Sequence, residues 1–162
     1  MEICRGLLGK RGLFRLRKAS LQDIDILLRI ERKSHAHPWG EEGFRQEIEP
    51  LNPVRHQWVL VSRERPGKIV AYICFHYLLG ELYVLNLTVD AFYRRMGLGE
   101  CLMRLAIFWA KKRGCRQVVL EVDEKNIPAR RLYEKLGFGY KGHFEGPGGG
   151  RQFRMRKSLL SY

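Results

Sequence analysis

The sequence predicts an α/β protein in which a mixed central sheet is flanked by helices, and three observations support this prediction. Several short segments alternate apolar and polar residues, as strands do, and they are interleaved with segments whose apolar residues recur every three or four positions, as in helices. The 162 residues are 45% hydrophobic, which suffices for one sizeable core. Neither an internal repeat nor a domain linker interrupts the pattern, so we expect a single domain over residues 1–162.

The N-terminal half is expected to form a strand, two helices and three further strands. Residues 14–17 alternate apolar and basic side chains, and Ser20 is placed as a helix N-cap, with Asp23 in a near capping box. The apolar face of that helix should consist of Leu21, Ile24, Leu27, Leu28 and Ile30. A second helix over 41–49 and strands over 57–63, 68–79 and 81–89 should follow, with a turn at 65–67.

The C-terminal half is expected to alternate helices with strands and to end in two closing strands. An amphipathic helix over 98–112 is stopped by Gly114, and the strand over 117–122 has the apolar character of a sheet centre. Asn126 is placed to cap the next helix, which should run to residue 136. The closing strands are expected over 138–144 and 152–160, on either side of a glycine-rich loop at 146–150.

The formal net charge of +13 predicts attraction to polyanions such as RNA, a ribosome surface or a phosphate-rich ligand. A basic surface that serves only solubility remains the alternative, because charge alone names no partner. Residues 1–12 form a basic N-terminal extension that is too short and too basic for a secretory signal. No apolar segment approaches the roughly 20 residues of a membrane span. We therefore expect a cytoplasmic protein with no membrane partner.

The cysteines are expected to be reduced and mostly buried. Cys4, Cys74, Cys101 and Cys115 include no CxxC pair and have no histidine nearby at metal-ligand spacing. We therefore expect neither a disulfide framework nor a metal site.

The most informative segment joins the strand over 81–89 to the helix over 98–112, in the order Arg94-Arg95-Met96-Gly97-Leu98-Gly99. Glycines let a ligand approach the backbone closely, and a helix start offers unpaired N–H groups at the positive end of the helix dipole. Two arginines add positive charge. The segment therefore predicts a phosphate site, with an ordinary strand–helix turn as the alternative.

Two common nucleotide sites do not fit this segment. A Walker A loop requires Lys and then Ser or Thr after its last glycine, but in this chain Gly99 is followed by Glu100 and Cys101. A dinucleotide fingerprint requires a third glycine, where this chain has Leu102.

The same segment, together with Leu87-Thr88-Val89-Asp90 before it, resembles motif A of the GNAT acetyltransferases, which has the pattern Arg/Gln-x-x-Gly-x-Gly/Ala. Asn126 and the run Ala129-Arg130-Arg131-Leu132-Tyr133-Glu134-Lys135-Leu136-Gly137-Phe138 resemble the second signature of that family. The resemblance implies the GNAT fold, with a mostly antiparallel sheet, and an acetyl-CoA-dependent N-acetyltransferase.

Within that family, His37-Pro38-Trp39 and the Leu-Glu-Val strand resemble the bacterial ribosomal-protein alanine N-acetyltransferases (RimI type). The resemblance implies direct transfer, in a ternary complex, to the N-terminal alanine of a small-subunit ribosomal protein. The tyrosine pair that these enzymes carry before a proline is absent, because His143-Phe144-Glu145 stand before Gly146-Pro147. A lysine, a polyamine or another small amine is the alternative acceptor. A non-catalytic domain that binds RNA or the ribosome is the alternative of another class, although the sequence lacks the interleaved aromatic and basic residues of an RNA-stacking surface.

The resemblance also assigns roles by matched position. It makes Glu121 the proton acceptor and Tyr133 the proton donor. The implied acetyl-CoA contacts are the strand backbone of Leu87, Thr88 and Val89, the pyrophosphate cradle of Arg94, Arg95, Met96, Gly97, Leu98, Gly99 and Glu100, and Asn126.

The chemistry of acetyl transfer is consistent with these residue types. An α-amino group with a pKa near 8 is largely protonated at neutral pH, so it needs a base. Glu121 lies in an apolar run, where desolvation is expected to raise its pKa, with an ion pair to an arginine as the alternative. Tyr133 has a phenol whose ordinary pKa lies within about two units of that of a thiol, although it could instead be a core aromatic. A covalent route through Cys101 is disfavoured because no histidine is placed to activate it.

Overall fold

The computed structural model describes residues 2–8, 12–49 and 53–160. The helices are α1 (Glu2–Leu8), α2 (Ile24–Ser34), α3 (Glu41–Ile48), α4 (Leu98–Lys112) and α5 (Ile127–Lys135). The strands are β1 (Phe14–Lys18), β2 (Arg55–Ser62), β3 (Ile69–Leu78), β4 (Glu81–Val89), β5 (Gln117–Asp123), β6 (Gly139–Glu145) and β7 (Arg151–Ser158). Short 3-10 turns occupy Leu21–Asp23, Ala91–Tyr93 and Pro147–Gly149. Among these residues, no helix has both the length and the apolar character that crossing a membrane requires.

The strands form one seven-stranded sheet in the order β1-β2-β3-β4-β5-β7-β6. Every neighbouring pair is antiparallel except β4 and β5, which confirms the mixed, mostly antiparallel sheet. The parallel pair follows from the helical crossover through α4, which returns the chain to the end of the sheet where β4 began. The last strand, β7, inserts between β5 and β6.

Helices cover both faces of the sheet, which explains why β3 is buried along most of its length. On one face, Ile73 and Phe75 pack with Leu102 of α4. On the other face, Tyr72 packs with Phe44 of α3. Each large apolar side chain buried in this way stabilises the fold by roughly 1.5–3 kcal/mol, so the sheet provides a rigid support for the site.

The start of the chain differs from the sequence-based expectation. Helix α1 occupies much of the predicted extension, and its Leu7 and Leu8 pack against the core beneath α4. Cys4 is 5% exposed, and its Sγ donates to the carbonyl of Cys101 at 3.6 Å. A helix of seven residues is too short for its periodicity to be recognised in sequence, because its stability comes from packing rather than from propensity.

The predicted beginning of the second helix is confirmed at its cap but wrong at its first apolar residue. The backbone N–H of Ser20 donates to the Asp23 carboxylate at 2.8 Å, as a capping box requires. Leu21, by contrast, is 45% exposed. Leu21 lies in the 3-10 turn before α2. Because a 3-10 turn is wound more tightly than an α-helix, Leu21 points away from the buried face of α2 that contains Ile24 and Leu27.

Candidate functional site

The candidate site is a cavity of about 390 Å³ at the point where β4 and β5 separate. These strands pair only over residues 81–84 and 117–120. Beyond that point the register of β4 against β3 shifts between Cys74 and Phe75, which leaves Leu85 as a β-bulge. A bulge bends its strand, so residues 85–89 diverge from β5 and present one unpaired edge to the cavity.

A row of unpaired backbone N–H groups lies at the N-terminal end of α4. Gly97 caps this helix in the left-handed conformation, with φ at 79°. Among the described residues, the backbone N–H groups of residues 95–100 have no acceptor. The first backbone hydrogen bond of α4 runs from Cys101 N to Gly97 O at 2.9 Å. Unpaired N–H groups at the positive end of a helix dipole form an anion-binding site.

The two glycines of the cradle have different local requirements. Gly97 has φ at 79°, in the left-handed region that glycine adopts without the steric cost of a Cβ. A Cβ at Gly99 would lie 3.6 Å from Leu132 and 3.7 Å from Val89, which are ordinary contact distances. Packing alone therefore does not require glycine at position 99.

The charged side chains of the cradle contribute unequally. The side chains of Arg94 and Arg95 are both exposed. Arg94 donates to Val89 O at 3.2 Å and to Ser34 Oγ at 3.3 Å, whereas the Arg95 side chain has no hydrogen-bond partner among the described residues. The Glu100 carboxylate accepts from Lys135 at 2.6 Å and from Arg104 at 2.8 Å. Lys135, followed by Arg104, lowers the pKa of Glu100 despite its partial burial. The cationic partners neutralise the Glu100 carboxylate, so what this residue offers to an anion is its backbone N–H.

The strand residues predicted to meet the cofactor face two directions. Leu87 and Val89 pack beside Gly99 at the start of α4. Thr88 is 4% exposed and its hydroxyl donates to Asn86 on the opposite face of the sheet. Only the backbone of Thr88 is therefore on the side of the cradle, and its contact with acetyl-CoA stays a prediction.

The expectation that Glu121 is desolvated is wrong. Its side chain is 47% exposed and forms an ion pair with Arg154 on β7 at 2.9 Å. The reason is the two-residue repeat of β5, which buries Leu120 and Val122 on one face and leaves Glu121 on the other. Glu121 nevertheless lines the cavity, so its proposed part in proton transfer stays a prediction.

Tyr133 is 7% exposed and also lines the cavity. Its hydroxyl makes no hydrogen bond with any residue that the structure describes, and its ring packs against Phe138 at 5.9 Å between centroids. Burial raises the pKa of Tyr133 to about 12. That value exceeds the ordinary thiol pKa by about 3.5 units, more than the sequence suggested, so the phenol is a weaker acid that stays protonated at neutral pH.

Asn126 performs the structural part of its expected role. Its Oδ1 accepts from the backbone N–H of Ala129 at 3.2 Å, which caps α5. The residue also borders the cavity, and its side-chain amide N–H groups donate to no described residue. Capping and contact with a ligand are therefore compatible.

A buried polar network on the other wall of the cavity escaped the sequence analysis. Glu31 is 1% exposed and accepts hydrogen bonds from the Tyr72 hydroxyl and from Asn86 Nδ2. Burial, followed by the nearby Glu31 charge, raises the pKa of Tyr72. The available signal was spacing, because Glu31 follows Leu27 and Leu28 by four and three positions and so falls on the apolar face of α2.

The glycine-rich loop after β6 closes one end of the cavity. A Cβ at Gly148 would lie only 2.5 Å from Nε2 of His37, so this loop packs directly on the segment between α2 and α3. Phe144 lines the cavity below the loop, in the region where the sequence lacks a tyrosine pair.

The cysteines are buried and unpaired, as expected. Burial raises the pKa of Cys101, and this reduces its reactivity as a nucleophile. No group of three or more potential metal ligands occurs within the described ranges.

Comparison with known proteins identifies related chains. Residues 24–138 match the model of the "Acetyltransferase (GNAT) family". The ribosomal protein bS18-alanine N-acetyltransferase of Escherichia coli (strain K12) is 33% identical over 116 residues, which are 72% of this chain and 74% of the relative.

Solved structures show a similar fold. The crystal structure of the ribosomal-protein-S18-alanine N-acetyltransferase from Escherichia coli superimposes with a TM-score of 0.80 at 26% identity, over 93% of this chain and 96% of that one. Arabidopsis thaliana NAA60 in complex with acetyl-CoA superimposes with a TM-score of 0.80 at 19% identity, over 90% of this chain and 98% of that one.

Proposed function

Because this chain belongs to the acetyltransferase (GNAT) family, we propose that it transfers the acetyl group of acetyl-CoA to a protein N-terminus. The acceptor that we propose is the N-terminal alanine of a small-subunit ribosomal protein, in the cytoplasm. The support for this acceptor is the 33% identity with a relative whose name specifies alanine of bS18.

The observation that carries the proposal is the row of unpaired N–H groups at residues 95–100, next to a cavity between separating strands. This row suits a diphosphate, which offers several acceptor oxygens and two negative charges. The exposed side chain of Arg95 adds positive charge. The unpaired edge of β4 beyond Val84 suits the amide-containing arm of coenzyme A.

The residues of the cavity can supply the three requirements of acyl transfer. An unpaired N–H on β4 polarises the thioester carbonyl. Glu121 accepts a proton from the attacking amine, directly or through water, while its carboxylate keeps or shares the hydrogen bond from Arg154. When the C–S bond breaks, Tyr133 gives its proton to the departing thiolate. Direct attack needs no covalent enzyme intermediate, which agrees with the inert setting of Cys101.

Turnover against a panel of amines tests this function. The panel contains peptides that begin with Ala, Ser, Gly and Met, a peptide with an internal lysine, and spermidine, and free coenzyme A is the readout. The Ala-initiated peptide is expected to give the highest kcat/KM. A preference for spermidine or for the lysine side chain would keep the enzyme class and replace the acceptor.

We also infer a polyanion contact at the C-terminal end of α4, because cations and aromatic rings meet there. The Lys112 ammonium lies 5.6 Å from the Phe108 ring and the Arg113 guanidinium lies 4.7 Å from the Trp109 ring. Within the described chain, neither cation forms an ion pair.

This second inference concerns docking on a ribonucleoprotein rather than catalysis. Replacing Lys112 and Arg113 by alanine should weaken binding to a structured RNA. The slope of log K against log salt concentration should also become shallower, by an amount that corresponds to about two fewer released counterions. Acetylation of a free peptide should be unchanged. Equal RNA binding by the variant and the wild type would exclude this contact.

A further inference from the structure

Glu31 is a buried carboxylate that the reaction described above does not use. Its Oε2 lies 3.5 Å from Nε2 of His35, the one basic side chain paired with it in the described part of the chain. Its remaining partners are Trp39 N at 3.1 Å, Asn86 Nδ2 at 3.2 Å and the Tyr72 hydroxyl. Removing an ion from water costs several kcal/mol unless partners compensate, so a carboxylate beneath a cavity wall indicates a purpose.

The hydrogen bonds of this network determine which nitrogen of His35 carries the proton. Asn86 Nδ2 donates to Glu31, so the other amide atom of Asn86, Oδ1, accepts from Thr88 Oγ1 at 2.9 Å. Thr88 has then used its single proton, and its Oγ1 can only accept from His35 Nε2 at 2.7 Å. Neutral His35 is therefore protonated on Nε2, and its basic lone pair is on Nδ1.

The position of His35 makes this lone pair available to a substrate. His35 directly follows α2, its side chain is 34% exposed, and it lines the same cavity as Glu121 and Tyr133. Its Nδ1 has no hydrogen-bond partner among the described residues. The cavity thus has an unoccupied basic nitrogen on one wall, with a buried negative charge behind it.

We propose that His35 is a second proton acceptor in acyl transfer, oriented by Thr88 at 2.7 Å and by the Glu31 carboxyl at 3.5 Å. This inference rests on the proposed function and assigns the first proton of the acceptor amine. The Glu31–His35 pair would then act before the carbon–nitrogen bond forms, whereas Glu121 acts during its formation.

The proton balance closes with these groups. The α-ammonium loses one proton to Nδ1 of His35, and the neutral amine attacks the thioester carbon. A second proton passes from nitrogen to Glu121 as the C–N bond forms, and the C–S bond breaks as Tyr133 protonates the thiolate. One of the two removed protons restores Tyr133 and the other enters the solvent, so each acetyl transfer releases one proton.

A purely structural network is the competing explanation, because Glu31 also anchors the segment between α2 and α3 through Trp39 N. The two explanations differ in the dependence on acceptor protonation. A structural anchor affects stability at every pH, whereas a proton acceptor is needed only while the amine carries its extra proton.

The decisive variant is His35→Gln, whose amide can keep the donor to Thr88 but has no basic nitrogen. Its kcat at pH 7 is expected to fall about 10²-fold, with unchanged Tm and unchanged KM for acetyl-CoA. The deficit should shrink at pH 9, where an α-amino group with a pKa of about 8 is mostly neutral. Imidazole added to His35→Ala should restore part of the rate.

The matched control is His76→Gln, because His76 is also paired with a glutamate, Glu47 at 2.7 Å, but does not line the cavity. Its kcat should stay within twofold of the wild type. The inference fails if His35→Gln keeps at least half of the wild-type kcat, or if its kcat falls by the same factor at pH 7 and at pH 9. In either case, turnover by the wild-type protein would still support the proposed function. A wild-type protein that acetylates none of the amines would overturn both.

Discussion

The two walls of the cavity are built in different ways. The wall that we propose for the cofactor (the cofactor wall) runs from β4 through the cradle to the first turn of α4, consists of consecutive residues and offers mostly backbone groups. The wall that we propose for the acceptor (the acceptor wall) brings together side chains from α2, the segment after it, β3 and β4, and the loop after β6 packs on that segment. A site made of backbone groups is formed by a short segment of the sequence, whereas a site made of side chains from several elements is formed only when the whole fold brings them together.

The largest expected effect tests the cofactor wall. Gly97→Glu should raise the Kd for acetyl-CoA at least about 100-fold, because it places a side chain at positive φ and a negative charge beside the diphosphate. Calorimetry measures the affinity. Gly67→Glu is the control, since Gly67 has φ at 78° but lies in the turn between β2 and β3. Equal loss of affinity in both variants would mean that strain alone, rather than the cradle, is responsible.

This contrast also explains what the sequence could reveal. The glycines and the helix start of the cradle are adjacent in the chain, so spacing alone predicted a phosphate site. The burial of Glu31 depends on Tyr72 and Asn86, which lie 41 and 55 positions away and have no shared motif with it. The exposure of Glu121 was misjudged because an apolar run does not say which face of β5 is covered.

The second prediction concerns the carboxylate between the two walls. Glu121→Gln should lower kcat about 10²-fold while the Kd for acetyl-CoA stays within twofold, because the amide cannot accept a proton. Glu124→Gln is a matched control, since Glu124 pairs with Arg151 at 3.5 Å but does not line the cavity. An unchanged kcat for Glu121→Gln would leave His35 as the acceptor of both protons.

The third prediction concerns Tyr133, which borders the cofactor wall. Tyr133→Phe should lower kcat about tenfold, at the weak end for an acid catalyst because of its raised pKa. Stability should be unaffected, since the hydroxyl has no partner among the described residues. Because the pKa of Tyr133 is about 12, its phenol stays protonated up to pH 10. Deprotonation of Tyr133 should therefore not lower wild-type activity in that pH range.

Thermal unfolding distinguishes this role from packing. Tyr140→Phe is the control, because its hydroxyl bonds to His143 at 2.7 Å on the exposed strand β6. A lowered Tm with unchanged kcat would assign Tyr133 to the core alone.

The smallest effect is expected where the cofactor wall uses a side chain for support. Glu100→Gln should destabilise the protein by about 1 kcal/mol at pH 7, because Lys135 and Arg104 lose a charged partner. The lowered pKa of Glu100 means that its contribution exists above the unfolded pKa and is lost as the pH falls through the folded value.

Denaturant unfolding across pH checks the sign of this effect. The difference between the wild type and Glu100→Gln should vanish as the pH drops well below about 4. A loss of acetyl-CoA affinity larger than threefold would show that the Glu100 side chain, and not only its N–H, takes part in binding.

Hydrogen exchange of individual amides tests the backbone cradle most directly. Without ligand, the N–H groups of residues 95–100 have no acceptor in the part of the chain that the structure describes, and they should exchange quickly. Saturating acetyl-CoA should protect them, more strongly than amides in the turn at Gly67. Unchanged exchange at residues 95–100 under conditions of measured acetyl-CoA binding would contradict the account, because the diphosphate would then be held elsewhere.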